Sequence, residues 1–326
     1  MSLPAGALAK AGQEKCPAFA APAAIVGSGA CMPTWISGMG YRRNPAVGRR
    51  RVGTIVVGVA VAVSALVAAH AQQRIWSGYY GFTPPKFPTN TTYDGRFNFC
   101  RAMFASNRRE KQGWSTDYPG ADINFSVRVS ELTKVPVKFI NDGKEDVPDA
   151  VVVRLTDDWL FRCSFLLMED AGTARFSDAE VKRLREYLLK GGFLLVSDYH
   201  GSLAKAQFDE EIGRVLPPGE FPIVDLTPPD HPMWNTMFRV SRIPQMASIQ
   251  TWRRTGGTIE RWNEDSSPPD VRGIADDHGR IMVVMVHNTD LPDPWEREGE
   301  ESDYFFQFSP AAYAAGIDIL LYALTH

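Results

Sequence analysis

The chain has 326 residues, of which 44% are hydrophobic and 22% charged, as in an ordinary globular protein. Once residues 1–71 are set aside, 28 basic and 37 acidic side chains remain, so the rest of the chain has a net charge of −9. A domain this acidic is a poor candidate for binding nucleic acid or anionic lipid, and it is long enough to bury one sizeable core.

Residues 1–71 are typical of an export signal. Five arginines between Arg42 and Arg51 precede an apolar run over residues 52–69, which ends in the small-x-small motif Ala69-His70-Ala71. The run has about 18 residues, just enough to span a bilayer, but its Ala and Gly content makes it weakly hydrophobic. The sequence therefore predicts a periplasmic or secreted protein that is cleaved after Ala71. The alternative is an uncleaved membrane anchor over residues 52–69.

Met39 suggests where translation starts. A signal beginning at Met39 has conventional length, whereas residues 1–38 are rich in Pro and Ala and show no periodicity. We hypothesise that Met39 is the initiator and that residues 1–38 are not translated; if they are translated, their composition predicts disorder. A peptide from residues 1–38 in a digest of the native protein would contradict this hypothesis.

An extended arm and one domain are predicted after the signal. Residues 72–96 are rich in Pro, Gly and aromatic residues, and three prolines between Pro84 and Pro88 exclude a helix there. Residues 97–326 are predicted to form a single α/β domain. Its two cysteines, Cys100 and Cys163, can form a disulfide in an oxidising compartment, but two buried free thiols explain them equally well.

Strands alternate with helices along this domain, which indicates a mostly parallel sheet with helices on both faces. Strands are predicted over residues 150–155, 165–168, 193–196, 221–226, 246–251, 273–275 and 281–287. Helices are predicted over residues 123–132, 177–190, 202–216 and 310–324. The first helix is ambiguous, because alternating apolar residues also favour a strand; Asp122 as N-cap and the terminal SELT favour the helix.

The stretch over residues 176–201 is predicted to be the structural centre. Ser177 and Glu180 form a capping box at the start of a helix, and Gly191-Gly192 ends it. The apolar strand over residues 193–196 follows without alternation, as expected of a strand covered on both faces. Asp198, Tyr199 and His200 come directly after it, where open α/β sheets bind ligands.

Several ordered motifs between Trp114 and the C-terminus resemble one family. These motifs are TDYPGADINF, VVRLTDDWLF, the stretch over residues 176–201, DHPMW and NTDLPDPWE. They resemble the domain-of-unknown-function family numbered 4159. The resemblance implies a class I glutamine amidotransferase-like fold, which is a three-layer α/β sandwich with a mostly parallel, flavodoxin-like sheet. It implies no reaction, because the activity of that family is not established.

The resemblance also implies where a nucleophile would lie. Amidotransferases of this fold carry a cysteine in a G-x-C-x-G turn between a strand and a helix, and the matching turn here, residues 197–201, has Tyr199 in the middle. A phenol with an ordinary pKa near 10 cannot replace a thiolate. The sequence therefore argues against a cysteine-dependent amidotransferase. A sugar-related protein of the trehalose-utilisation type places a histidine near this turn, which is similar to His200.

Asp198 and His200 are the candidate catalytic residues, since a carboxylate and an imidazole two residues apart can share a proton or bind a metal. The structural alternative is a helix cap and a solvated turn. Asp157 and Asp158 are candidates for acid–base work or for a cap. His231 and His287 border a turn and a strand. The predicted ligand-binding residues are Asp157, Asp158, Asp198, Tyr199, His200, His287, Trp295 and Glu296.

The loop over residues 291–302 is predicted to act as a lid, a docking surface or a sugar platform, with Trp295 stacking on a ring and Glu296 bonding hydroxyls. Core packing of Trp295 is the structural alternative. No cofactor is predicted, since the chain has no P-loop, no dinucleotide fingerprint and no serine elbow. No metal is predicted either, because no CxxC or zinc-type spacing occurs.

Two functions remain open at the level of sequence. The first is a non-catalytic ligand-binding or scaffolding domain whose partner is a small molecule or an envelope protein. The second is a hydrolase of carbohydrate or cell-envelope substrates that uses Asp198 and His200, with or without a metal. Convergence of Asp198, His200, Asp157 and His287 in one pocket would favour the hydrolase.

Overall fold

The structure, a computed structural model, describes residues 83–107, 113–260, 265–266 and 268–326. The predicted export signal, the alternative anchor over residues 52–69 and the proposed start at Met39 lie outside the described residues. In the described part of the arm, the backbone carbonyl of Lys86 accepts a hydrogen bond from the backbone N–H of Val152 at 2.8 Å. The arm therefore runs beside an edge strand of the sheet.

A seven-stranded sheet forms the centre of the domain. Its strands are β1 (Cys100–Met103), β4 (Val151–Arg154), β5 (Leu166–Met168), β6 (Leu194–Val196), β7 (Ile223–Asp225), β8 (Asp270–Ala275) and β9 (Ile281–His287). They lie in the order β4-β1-β5-β6-β9-β8-β7; the first five are parallel, β8 pairs antiparallel with β9, and β7 pairs antiparallel with β8. A separate hairpin pairs β2 (Phe139–Asn141) with β3 (Asp146–Pro148).

Helices cover both faces of the sheet. They are α1 (Gly120–Leu132), α2 (Asp178–Leu189), α3 (Gly201–Val215), α4 (Ile249–Thr255), α5 (Asp293–Glu296) and α6 (Ser302–Thr325). Side chains of α2 and α3 pack in one hydrophobic core, and side chains of α1, α4 and α6 pack in the other. The predicted three-layer α/β architecture with a mostly parallel sheet is confirmed.

Alternation along the strands explains the two cores. Leu194 and Val196 of β6 belong to the core under α2 and α3, whereas Leu195 points to the other core. Every residue of β9 is buried, as expected of a strand covered on both faces. The unbroken apolar run that predicted this strand therefore reflects burial on both faces of the sheet.

The order of the parallel strands fixes where a ligand site is expected. The five parallel strands lie side by side in the order β4-β1-β5-β6-β9. If they are numbered one to five along the chain, their order in the sheet is 2-1-3-4-5. This is the flavodoxin-like order, whose direction reverses between the first and third strands, here β1 and β5. Ligands of such sheets bind beyond the carboxyl ends of the strands at this reversal.

Cys100 and Cys163 form a disulfide, which decides between the two interpretations left open by the sequence. Cys100 lies in β1, and Cys163 lies two residues before Phe165, which leads into β5. The bond joins positions 63 residues apart. It therefore ties together the two strands between which the strand order reverses.

The strand predicted over residues 246–251 is wrong, since α4 occupies Ile249–Thr255. Ser248 caps this helix by accepting a hydrogen bond from the backbone N–H of Thr251 at 3.3 Å. The Ser-x-x-Thr motif is a local signal for the start of this helix. The apolar residues before the motif favoured a strand instead. The hairpin of β2 and β3 was also missed.

The last helix begins at Ser302, and Pro310 lies inside it rather than in its first turn. Tertiary hydrogen bonds hold the turns before the proline. The single proton of the Tyr304 hydroxyl is shared between the carbonyl of Ala247 at 2.8 Å and Oδ2 of Asp293 at 2.6 Å, and Ser309 donates to the carbonyl of Pro294 at 2.7 Å. By length and composition α6 could cross a membrane, but 61% of its most apolar window is buried inside the domain. We interpret α6 as a core helix.

Candidate functional site

Among the residues that the structure describes, four non-glycine residues adopt left-handed backbone conformations, and three of them follow neighbouring strands. Asp170 (φ 48°) comes after β5, Asp198 (φ 53°) after β6 and Asn288 (φ 60°) after β9; the fourth, Asp117 (φ 57°), precedes α1. Asp and Asn tolerate this region better than other residues with a Cβ. Such strained residues concentrate at functional sites. They mark the carboxyl ends of the parallel strands.

A cluster of carboxylates lies at this edge of the sheet. Oxygens of Asp117, Glu169 and Asp290 lie within 4.8 Å of one another, and so do oxygens of Asp117, Asp293 and Glu296. Glu169 directly follows β5, Asp290 lies three residues beyond β9, and Asp293 and Glu296 belong to α5. Asp117 is common to both groups, so the two groups form one continuous cluster, called here the carboxylate cluster.

Arg101 anchors one side of the carboxylate cluster. This fully buried β1 side chain donates from Nε to both carboxylate oxygens of Asp122 at 3.0 Å and contacts Oε2 of Glu169 through Nη1. The other oxygen of Glu169, Oε1, is buried and has no hydrogen-bond partner among the residues that the structure describes. Glu169 is itself completely buried, so an unpaired carboxylate oxygen lies inside the cluster.

The other side of the cluster is held by backbone donors and a tyrosine. Oδ1 of Asp290 accepts from the N–H of Asp293 at 3.0 Å. Oδ2 of Asp293 accepts from the N–H of Ile249 at 2.9 Å and from the hydroxyl of Tyr304 at 2.6 Å. Arg297 forms an ion pair of 2.6 Å with Glu296. The helices α4, α5 and α6 thus hold these carboxylates in place but do not use all of the hydrogen bonds that their oxygens can accept.

Burial and mutual repulsion disfavour the ionised carboxylates. Burial, reinforced by neighbouring carboxylates, raises the pKa of Asp117, Glu169 and Asp290 well above the ordinary range. Burial also raises the pKa of Asp293 to about 7, and it raises the pKa of Glu296. A cation placed among these oxygens would relieve both effects.

Asp198 and His200 lie near the carboxylate cluster. The charge of Asp198 contributes to the raised pKa values of Glu169 and Asp290, and its side chain is 17% exposed. Nε2 of His200 lies 3.3 Å from Oδ1 of Asp198, and Nδ1 of His200 is buried without a hydrogen-bond partner in the described part of the chain. The left-handed residue of the turn is Asp198, so the turn presents Asp198 rather than Tyr199.

Tyr199 and His287 lie beneath this turn. Their rings are 4.9 Å apart, and Nη2 of Arg272 donates to the Tyr199 hydroxyl at 3.4 Å. Nδ1 of His287 lies 2.7 Å from Oδ1 of Asp270, and Nε2 lies 3.1 Å from the carbonyl oxygen of Gly201. Burial raises the pKa of the Tyr199 phenol. Both side chains support the turn from below.

Asp157, Asp158 and His231 lie elsewhere. Asp157 and Asp158 follow the edge strand β4; Asp157 accepts from the N–H of Arg154 at 3.3 Å, and the fully exposed Asp158 pairs with Arg183. His231 accepts from the N–H of Met233 at 3.2 Å, and burial lowers its pKa. The structure therefore brings Asp198 and His200 together with the carboxylate cluster, but not these three residues.

The loop of residues 291–302 is not a free lid or docking surface, because residues 291–298 are buried. Trp295 is completely buried and packs against Phe125 at a centroid distance of 4.4 Å. It therefore offers no open face to a sugar ring, and the core interpretation of Trp295 fits its position. Glu296 does belong to the carboxylate cluster.

Sequence reasoning missed four of the five cluster carboxylates: Asp117, Glu169, Asp290 and Asp293. Asp117 lies in the motif TDYPGAD, and Asp290 and Asp293 lie in NTDLPD, so both motifs contained a signal. Neither motif has metal-ligand spacing by itself. Only the fold brings the loops after β5 and β9 together with the residue before α1.

A protein-family model described as Domain of unknown function (DUF4159) matches residues 103–324. No curated protein matches the chain.

Proposed function

Since the chain belongs to the DUF4159 family, whose description names no reaction, we propose a function from the site itself: the domain binds a hard divalent cation. Asp117, Glu169 and Asp290 would supply its oxygen ligands. The observation that carries this proposal is the buried, unpaired Oε1 of Glu169 within this triad. A buried carboxylate oxygen without a donor is costly unless a ligand satisfies it.

The donor set selects the class of cation. All three side chains are carboxylates, and carboxylate oxygens suit Mg²⁺, Ca²⁺ and Mn²⁺ better than metals that prefer thiolate or imidazole. Neither cysteine of the described domain is available as a ligand or nucleophile, because both are in the disulfide. This supports a binding domain over a cysteine-dependent amidotransferase.

Ligand binding by the domain would use the open side of the ion. Glu169 and Asp290 are buried, whereas Asp117 of the same triad is only half-buried and the nearby Asp198 is partly exposed. A bound cation would retain coordination positions toward this opening, where oxygen atoms of a small molecule or of an envelope partner could enter. The proposed role is thus a cation-dependent ligand-binding domain.

Hydrolysis is the second candidate function, favoured by the 3.3 Å contact between Nε2 of His200 and Asp198 beside the carboxylate cluster. In this case the cation would lower the pKa of a nearby water, and Asp198 with His200 would accept the proton of that water as it attacks a carbohydrate or cell-envelope substrate. The bond to the leaving group would break, and the leaving group would take up the proton from Asp198 and His200. Asp198→Asn would then abolish turnover of such a substrate while leaving the bound cation in place.

We also propose that the domain works outside the cytoplasm, anchored by residues 52–69 if the signal is not cleaved. The basic and apolar segments before residue 72 support export, and the Cys100–Cys163 disulfide is of the kind that persists in oxidising compartments. Fractionation of cells that express the full chain tests this. Recovery of the protein only in the cytoplasm, with both cysteines reduced, would overturn export.

Titration calorimetry of the full chain with Mn²⁺ tests the proposed function. We expect saturable binding in the wild type and an affinity weaker by at least about tenfold in Asp290→Asn, since disturbed metal ligation typically costs that much. Asn retains the oxygen that accepts from the N–H of Asp293.

Asp158→Asn is the matched control, because it removes an exposed carboxylate far from the carboxylate cluster and should bind Mn²⁺ like the wild type. Equal weakening in both variants, or no binding by the wild type, would overturn the proposal.

A further inference from the structure

We propose that the extended arm regulates the proposed cation site, with Tyr118 as the positioning residue that joins the two. The inference rests on the proposed function, because the cation site is the triad of Asp117, Glu169 and Asp290, and Tyr118 directly follows Asp117. Residues 84–86 of the arm hold the hydroxyl of Tyr118. A docked arm would keep Asp117 in position for the cation, and a bound cation would in turn keep the arm docked.

Two hydrogen bonds join the arm to Tyr118. The Tyr118 hydroxyl accepts from the backbone N–H of Lys86 at 3.0 Å and donates to the carbonyl oxygen of Pro84 at 3.4 Å. The Tyr118 side chain is buried, and a buried hydroxyl that loses its partners is costly. Undocking of the arm would therefore disturb the position of Tyr118.

The arm also contacts the domain independently of Tyr118. The carbonyl of Lys86 accepts from the N–H of Val152 in the edge strand β4 at 2.8 Å. The guanidinium carbon of Arg154 lies 3.8 Å from the centroid of the half-buried ring of Phe87. Lys86 thus bridges the edge of the sheet and the loop before α1.

Tyr118 is connected to two carboxylates of the cation site. The first connection is the peptide bond to Asp117. The second is Arg101, whose guanidinium carbon lies 5.8 Å from the centroid of the Tyr118 ring and whose Nη1 contacts the carboxylate of Glu169. The same Nη1 donates to the carbonyl of Thr116 at 2.7 Å. A shift of Tyr118 would therefore reach Asp117 through the backbone and Glu169 through Arg101.

Reciprocity makes the arm a regulatory element. If docking of the arm raises the affinity for the cation by some factor, the bound cation strengthens docking by the same factor. In the sequence, only residues 70–83 separate the described part of the arm from the apolar segment over residues 52–69. In the proposed membrane-anchored form, the arm is therefore the connection between the membrane and the cation site, and undocking it would lower the affinity of that site.

Titration calorimetry of the full chain with Mn²⁺ tests the role of Tyr118. Tyr118→Phe removes the hydroxyl and keeps the ring, and we expect an affinity weaker by about fivefold or more, as is typical of coupled sites. Tyr93→Phe is the matched control, because this arm hydroxyl lies 3.4 Å from Sγ of Cys163, which precedes β5. Its loss should leave the affinity unchanged. If Tyr118 only stabilised the fold, Tyr118→Phe would lower the melting temperature and leave the Mn²⁺ affinity as it is.

Two variants of Lys86 act on the arm side of the same contact. Lys86→Ala removes the ion pair with Asp149 and keeps the backbone N–H that Tyr118 accepts. Lys86→Pro removes both, since proline has no N–H. We expect Mn²⁺ binding to weaken in Lys86→Pro relative to Lys86→Ala by the same factor as in Tyr118→Phe.

Limited proteolysis of the wild type tests the reverse direction. Trypsin can cleave after Lys86 only when the backbone there leaves Val152 and Tyr118, so this cleavage measures how often the arm undocks. Saturating Mn²⁺ should slow it by about fivefold or more relative to EDTA. Cleavage after Lys144, which is exposed between β2 and β3, is the internal control and should proceed at the same rate in both conditions.

The outcomes separate this inference from the proposed function. Equal Mn²⁺ affinity in the wild type, Tyr118→Phe and Lys86→Pro would overturn regulation by the arm and leave the cation site intact. Equal slowing of cleavage after Lys86 and Lys144 would also overturn it, because the cation would then stabilise the domain in general. No binding of Mn²⁺ by the wild type would overturn both proposals.

Discussion

At the scale of single residues, Asp198 combines an unfavourable backbone with a position near other carboxylates. Its φ of 53° lies in the left-handed region, and its charge contributes to the raised pKa values of Glu169 and Asp290. The left-handed conformation costs a residue with a Cβ about 1–2 kcal/mol relative to glycine. Backbone strain of this kind concentrates at functional sites, which makes Asp198 a residue to test by substitution.

Replacing Asp198 separates the effect of the left-handed backbone from the effect of the carboxylate. Asp198→Gly and Asp198→Ala both remove the carboxylate, but only glycine also relieves the left-handed backbone. We expect the free energy of unfolding in urea to be higher for Asp198→Gly than for Asp198→Ala by about 1 kcal/mol. Equal stability of the two variants would show that the turn is not strained.

At the scale of elements, local signals in the sequence were sufficient for α2, α3 and the strands β4, β5, β6 and β9, but not for α4 or for β1. The capping box of Ser177 and Glu180 forms as expected at the start of α2, because its partners are three residues apart. The segment that begins α4 was predicted to be a strand, because its N-cap signal is a single Ser-x-x-Thr motif that follows apolar residues. The carboxylate cluster could not be predicted, because its members come from three loops that only the sheet aligns.

The disulfide should contribute strongly to stability at this scale. It closes a loop of 63 residues between the strands at the reversal of strand order, and a loop of this length restricts the unfolded chain by about 4 kcal/mol. We expect Cys100→Ala/Cys163→Ala to lose about this much free energy of unfolding in urea. The reduced wild type should show the same loss, and a wild-type midpoint that does not respond to reductant would contradict the prediction.

At the scale of the whole molecule, the raised pKa values predict how stability depends on pH. In an unfolded chain these carboxyls release their protons near pH 4, whereas the folded chain retains them to higher pH, to about 7 for Asp293. Between these values the folded state binds more protons. The stability that these raised carboxyls contribute is therefore fully present below about pH 4 and is lost as the pH rises through the neutral range.

This dependence can be measured by thermal unfolding in EDTA. We expect the melting temperature to decrease from pH 5 to pH 8, with a shallower decrease in Asp290→Asn. Mn²⁺ at about 100 times its dissociation constant should add about 2.7 kcal/mol of stability and counteract the decrease. A melting temperature that rises over this range in EDTA would contradict the assignment of raised carboxyl pKa values.

The sharing of Asp117 between the two triads has a consequence for synthesis. Asp117 and Glu169 are made early, but their partners Asp290, Asp293 and Glu296 lie in the last forty residues of the chain. A ribosome that stops before residue 290 releases a product that contains most of the sheet and neither complete triad. Cation binding by these triads would therefore require a chain that has been synthesised and folded at least through residue 296.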